Sequence, residues 1–161
     1  MPTKTKLTAE RRKEIFYSAL DHSEAFRKSC GLTCYDVYGG FEDLLHRSID
    51  DNWMVVAETR EAAEALIESN FDMKLVQRAH KMRRLDCYEA MIGLPREEQF
   101  DFFMELDQVT LTTRTENHKN GTEHWSEVLQ QPESIGRIGG SFRAYFTAKQ
   151  RAAFVAHFGG F

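Results

Sequence analysis

The 161-residue sequence predicts a mainly α fold, α+β with a small minor sheet, arranged as a single compact domain over 1–161. Apolar residues recur at three- and four-residue steps in at least four segments, whereas strand character is confined to two short runs near 53–57 and 108–115. Hydrophobic residues make up 42% and charged residues 29% of the chain, ordinary globular proportions that supply one core without disulfide staples. No internal repeat, low-complexity tract or long linker divides it.

Thr8 is the N-cap of a first helix that runs to about Ser29, because Ile15, Ala19, His22 and Phe26 share one side and Phe16 and Leu20 widen it. On that stripe His22 reads as a hydrogen-bonded core histidine rather than a base. Gly31 and the Gly39-Gly40 pair punctuate the next segment, and a short helix then shows Phe41, Leu44, Leu45 and Ile49 on one face until Asp50-Asp51-Asn52 ends it. The apolar run Trp53 to Ala57 reads as a strand leading into a helix that Thr59 caps and Ala62, Ala63, Leu66 and Ile67 face inward.

Asp72 caps a longer expected helix over 73–92, with Leu75, Val76, Ala79, Met82 and Leu85 as a drifting stripe and Gly93-Leu94-Pro95 as its stop. Pro95 opens the next helix, where Phe100, Phe103, Met104 and Leu106 follow Glu97, Glu98 and Asp101 near the positive end of the helix dipole. From Gln108 to Thr115 five of eight residues are Thr or Val, which predicts a strand. Residues 116–122 read as a polar loop, and Thr122 as the cap of a short helix with Trp125, Val128 and Leu129 that Pro132 closes. An extended stretch at Phe142, Ala144 and Phe146 precedes a final helix from Thr147 to Phe158, whose inward side is Ala148, Ala152 and Val155.

Composition narrows the function classes. No apolar run approaches the ~20 residues of a membrane span, and the polar start Met-Pro-Thr-Lys-Thr-Lys has no apolar signal core, so a cytoplasmic protein that engages no membrane is expected. Cys30, Cys34 and Cys87 are odd in number and too few for a disulfide framework, which predicts free thiols. The sequon Asn120-Gly121-Thr122 reads as a turn. Twenty-one bases against 25 acids give a net charge of −4, laid out in blocks of +2, −7, +4, −7 and +4 over 1–36, 37–72, 73–96, 97–133 and 134–161. Such alternation means either faces that pair within the fold or patches left for a partner.

Several pairs have the composition of chemical sites. Cys30-x3-Cys34 and His118-x5-His124 each offer two zinc ligands, but more than eighty residues separate the pairs and neither is the tight Cys-x2-Cys of zinc ribbons. A cysteine nucleophile at Cys30 or Cys34 would sit at the negative end of a helix, and Cys87 reads as a small core residue. Asp72-Met73-Lys74 has the Asp-x-Lys spelling of metal-dependent nucleases, though Asp72 is explained as a cap, and the Asn117 to His124 loop sets its ligands too close together. Gly136-x-x-Gly139-Gly140 matches neither phosphate-binding glycine pattern. No catalytic residue, metal or cofactor is therefore expected.

The expected function is that of a non-enzymatic macromolecule-binding protein, a small protein-binding regulator or inhibitor; accessory proteins that mobile elements direct at host machinery are one such class. One alternative is a nucleic-acid-binding protein using Lys74, Arg78, Lys81, Arg83 and Arg84, or a nucleic-acid mimic using the acidic blocks; another is a small metal-dependent enzyme with an unfamiliar site. The expected partner surface is the last block, which has no carboxylate and sets bases among aromatics. Its candidate residues are Arg137, Arg143, Tyr145, Lys149 and Arg151.

Overall fold

A computed structural model of the chain describes residues 7–49, 54–118, 122–136, 138 and 145–160, apart from the Arg47 side chain. The Asp50-Asp51-Asn52 stop, Trp53, the Asn120-Gly121 turn, and Phe142 and Ala144 of the expected extended stretch lie outside them. In chain order the elements are α1 Ala9–Cys30, α2 Cys34–Ser48, β1 Val55–Thr59, α3 Arg60–Glu68, β2 Val76–His80, α4 Arg84–Ile92, α5 Arg96–Leu106, β3 Val109–Thr113, α6 Arg114–His118, β4 Val128–Gln130 and α7 Ala148–Phe158. The fold is mainly α with a small mixed sheet. No helix among the described residues is long and apolar enough to cross a membrane. The chain packs as two units, one of residues 1–52 with 83–107, the other of 53–82 with 108–161.

The first unit is helical. Thr8 caps α1 by accepting from the Arg11 amide at 3.2 Å, and Gly31, at φ 64°, turns the chain out of it. Phe16, Ala19 and Leu20 face inward, but His22 and Phe26 are exposed, so His22 is not the core histidine expected. Past Leu20 the inward side continues through polar residues: Glu24 accepts a two-pronged contact from Arg27 at 2.8 and 2.7 Å and a 2.9 Å bond from the Tyr88 hydroxyl. Apolar periodicity cannot register a side held by an ion pair.

Helix α2 starts earlier than expected because Asp36 accepts from the amide and the hydroxyl of Thr33 at 2.8 and 2.7 Å, a cap that overrides the helix-breaking tendency of Gly39 and Gly40. Val37, Phe41 and Leu45 are buried from it, while Leu44 is not. Phe16 meets Phe41 at 5.7 Å and Phe100 at 5.3 Å, and Phe41 meets Tyr88 at 5.3 Å and Phe103 at 5.4 Å, in edge-to-face contacts that join α1, α2, α4 and α5.

The second unit is built on a sheet of order β2-β3-β1-β4, with β1 and β3 parallel at its centre and β2 and β4 antiparallel at its edges. Val55, Val76, Val109 and Leu111 lie on one face, in a core with Ala62, Ala63 and Leu66 of α3, Phe154 and Phe158 of α7, and Phe71, Ile135, Ile138 and Phe146 from the loops. The expected helix over 73–92 does not form. Asn70 and Phe71 take left-handed conformations at φ 54° and 66°, β2 then pairs with β3, and α4 starts only at Arg84. Val76 and Ala79 fit a helical step, and only the partner strand decides against it.

Two other local expectations fail in the same way. Residues 114–118 close one helical turn, where the end of the strand at 114–115 and the start of a loop at 116 were expected, and Val128 to Gln130 form an edge strand whose Leu129 alone turns inward, where a Thr122-capped helix was expected. Thr147 caps α7 as predicted, in a reciprocal box with Gln150. Its inward side, however, is Phe154 and Phe158, because burying an aromatic ring is worth ~2–3 kcal/mol and burying a methyl far less. Ala148, Ala152 and Val155 face out.

Candidate partner-binding surface

The aromatic underside of α7 fixes what its outer side presents. Phe154 meets Phe146 at 5.3 Å and Phe71 at 5.5 Å edge to face, and Phe158 at 4.6 Å with tilted rings, so the helix cannot rotate without emptying the core. Outward then stand Ala148, Ala152 and Val155, one step of four and one of three apart, with Lys149 beside them. Val155 is 42% exposed and Tyr145, just before the cap, 59%. Among the described residues Lys149 has no ion-pair partner and the Tyr145 hydroxyl no hydrogen bond.

Of the five residues expected here, Tyr145 and Lys149 are therefore presented to solvent together with an apolar stripe. Arg151 has a second job. Its Nε donates to the Phe146 carbonyl at 3.3 Å and its guanidinium lies 5.5 Å from the centre of the Phe71 ring, which ties the start of α7 to the core. Arg137 and Arg143 lie outside the described residues.

Three of the six bases of the 73–96 block are held by carboxylates. Arg83 forms a two-pronged contact with Asp86 at 3.0 and 2.7 Å, Arg84 meets Glu42 at 2.7 Å, and Arg96 grips Asp21 at 2.7 and 2.8 Å. Lys74, Arg78 and Lys81 fall on a turn, on β2 and on the turn after it, so the five bases proposed for nucleic acid do not share a helix.

The remaining candidates separate likewise. Cys30 and Cys34 flank the α1–α2 turn of the first unit, whereas His118 ends α6 and His124 lies on a short turn of the second. Among the described residues no three His, Cys, Asp or Glu side chains gather as metal ligands. The three cysteines are unpaired, and burial pushes the Cys87 thiol up to about 12, which disfavours its thiolate. Asp72 accepts from the Lys74 amide at 3.0 Å, the local bond of a turn.

Of four buried carboxyls that escaped the sequence reading, Glu42, Glu58, Asp107 and Glu116, three differ sharply in their surroundings. Glu116 accepts five bonds: from the amide and hydroxyl of Ser126 at 2.7 Å each, of Thr113 at 2.8 and 3.0 Å, and from the Thr59 hydroxyl at 2.7 Å. Burial alone would raise its pKa, but these donors together hold it below the ordinary value. Glu42, 5% exposed, is pushed up to about 7 by burial, against the pull of Arg84 and with the help of Asp107. Glu58, fully buried, has no partner at either oxygen among the described residues. Thr113-x-x-Glu116 is a capping-box spelling and was legible; nothing in the sequence marked the other two as buried.

No family model, curated protein or solved structure matches the chain.

Proposed function

We propose that the protein works by binding another protein, as a small regulator or inhibitor, and that the outer side of α7 with Tyr145 is the contact surface. The observation that carries this is an apolar stripe, Ala148, Ala152 and Val155, held outward next to Lys149, which has no ion-pair partner among the described residues, in a segment of the chain that has no carboxylate. Arg27, Arg60, Arg83, Arg84 and Arg96 sit against acids of their own unit; here an exposed aromatic, small apolar side chains and an ammonium without an ion-pair partner among the described residues are offered together to a complementary surface. The partner that fits presents apolar side chains bordered by Asp or Glu.

The test is a comparative pull-down from the native host, with wild-type protein and a Lys149→Glu, Val155→Glu variant as baits. Both changes lie at exposed positions, so the thermal midpoint should stay within a few degrees. The expected result is one protein enriched on the wild type, lost on the variant, and released from the wild type as salt rises. Retention of the same protein by a folded variant would remove α7 from the interface. Capture of nucleic acid instead, on duplex DNA or heparin at low salt, would favour the nucleic-acid reading.

A further inference from the structure

We propose that Glu58 is a proton-operated latch for the edge strand β4: the neutral acid keeps the strand seated on β1, and loss of the proton releases it. Glu58 lies in the middle of the β1–β4 pairing, directly opposite Leu129 on one side and Leu111 on the other, and partners in a sheet share a face. Its exposure is 0%, and among the described residues neither carboxyl oxygen has a hydrogen-bond partner. A site that closed admits a proton and little else.

Among the described residues, the elements around it supply no compensating charge. From β3 come Leu111 and Val109, from β4 Leu129, and from α3 Ala62, Ala63 and Leu66, while Glu61, Glu64 and Glu68 of α3 point away from the core. Arg60 is engaged with Glu127, which precedes β4. Arg78 and His80 of β2 share the face, with Arg78 about 10 Å from Glu58 between Cα atoms, but neither bonds the Glu58 carboxyl, whose oxygens have no hydrogen-bond partner among the described residues. Burial pushes the carboxyl from its ordinary 4.5 up to about 8.

An ion formed there needs water, and the shortest way to water is outward. Leu111 belongs to the sheet centre and is 1% exposed, whereas Leu129 is half-buried on a strand of only three residues. Lifting β4 hydrates Glu58 without dismantling the pairing of β2, β3 and β1. The sign follows from linkage. Below about 4.5 the seated and released forms both hold the proton; between there and about 8 only the seated form does. Each pH unit in that window then favours release by up to tenfold, and above it the effect levels off.

Amide exchange on the full chain tests this, with rates corrected for intrinsic pH dependence. Two reporters cross the β1–β4 seam: the Gln131 amide bonded to the Val56 carbonyl at 2.9 Å, and the Arg60 amide bonded to the Glu127 carbonyl at 2.8 Å. Their protection should fall from pH 5 to 8 by up to tenfold per unit in the wild type and stay level in Glu58→Gln, while amides between β2 and β3 change less. A carbon-13 titration of the Glu58 carboxyl in the wild type, independent of any variant, should show a midpoint near 8. A midpoint near 4.5, a flat wild-type profile, the same slope in Glu58→Gln, or an equal slope in the β2–β3 amides would overturn the latch.

Discussion

Glu116 and Glu42 show how one residue type, buried in both places, is put to opposite electrostatic use. Glu116 is surrounded by donors from the ends of β1 and β3 and from Ser126, so its ionised form is the stable one. Glu116→Gln turns an amide toward groups that donate, and should cost about 2–4 kcal/mol in urea denaturation at pH 7. Because its folded pKa is depressed, its contribution is present above about 4.5 and lost as pH falls through the lowered value. Glu42 has the reverse sign. Its folded pKa is raised to about 7, so its contribution is complete below 4.5 and lost as pH rises toward 7. Glu42→Gln should therefore raise stability at pH 8 by about 1–2 kcal/mol, discounting for the exposure of Arg84, and give no gain at pH 4. Equal effects at both pH values would contradict that sign.

Among the elements, those with chemical punctuation were legible in the sequence. Thr8, Thr59 and Thr147 start helices where expected, and β1 and β3 overlap the two β-branched runs, β1 reaching two residues further and β3 ending two residues sooner. What failed was the choice between periods in segments of a few residues: β2 and β4 each fit a helical step as well as a strand, and only pairing with β3 or β1 separates the two. The inward side of α7 was misread because alanine and valine at regular steps look like a core stripe until the phenylalanines are weighed by size. This difference can be measured. Phe154→Ala should cost about 3–5 kcal/mol, as for a ring removed from a closed core, whereas Val155→Ala should stay within about 0.5 kcal/mol. Of the candidate surface, the sequence showed composition but not orientation: Lys149 and Tyr145 are exposed, Arg151 is partly tied to Phe71 and Phe146, and the apolar stripe was assigned to the wrong side.

For the molecule as a whole, part of the charge is matched within each unit, more of it in the first. In the first, Arg27 meets Glu24, Arg84 meets Glu42 and Arg96 meets Asp21; in the second, Arg60 meets Glu127. Net charge thus says little about partners, and a place where an unmatched base stands beside exposed apolar side chains says more. The outer side of α7 is such a place: among the described residues Lys149 has no ion-pair partner there, and Ala148, Ala152 and Val155 are exposed. Site-specific photo-crosslinking in the native host tests it most directly, with the reactive side chain at Ala152 on that surface and, as a control, at exposed Glu98 on α5. The expected result is a discrete adduct with one protein from position 152, lost when Lys149→Glu is added, and none from position 98. Adducts from position 98 alone, or an adduct at 152 that persists with Lys149→Glu, would contradict protein binding through α7.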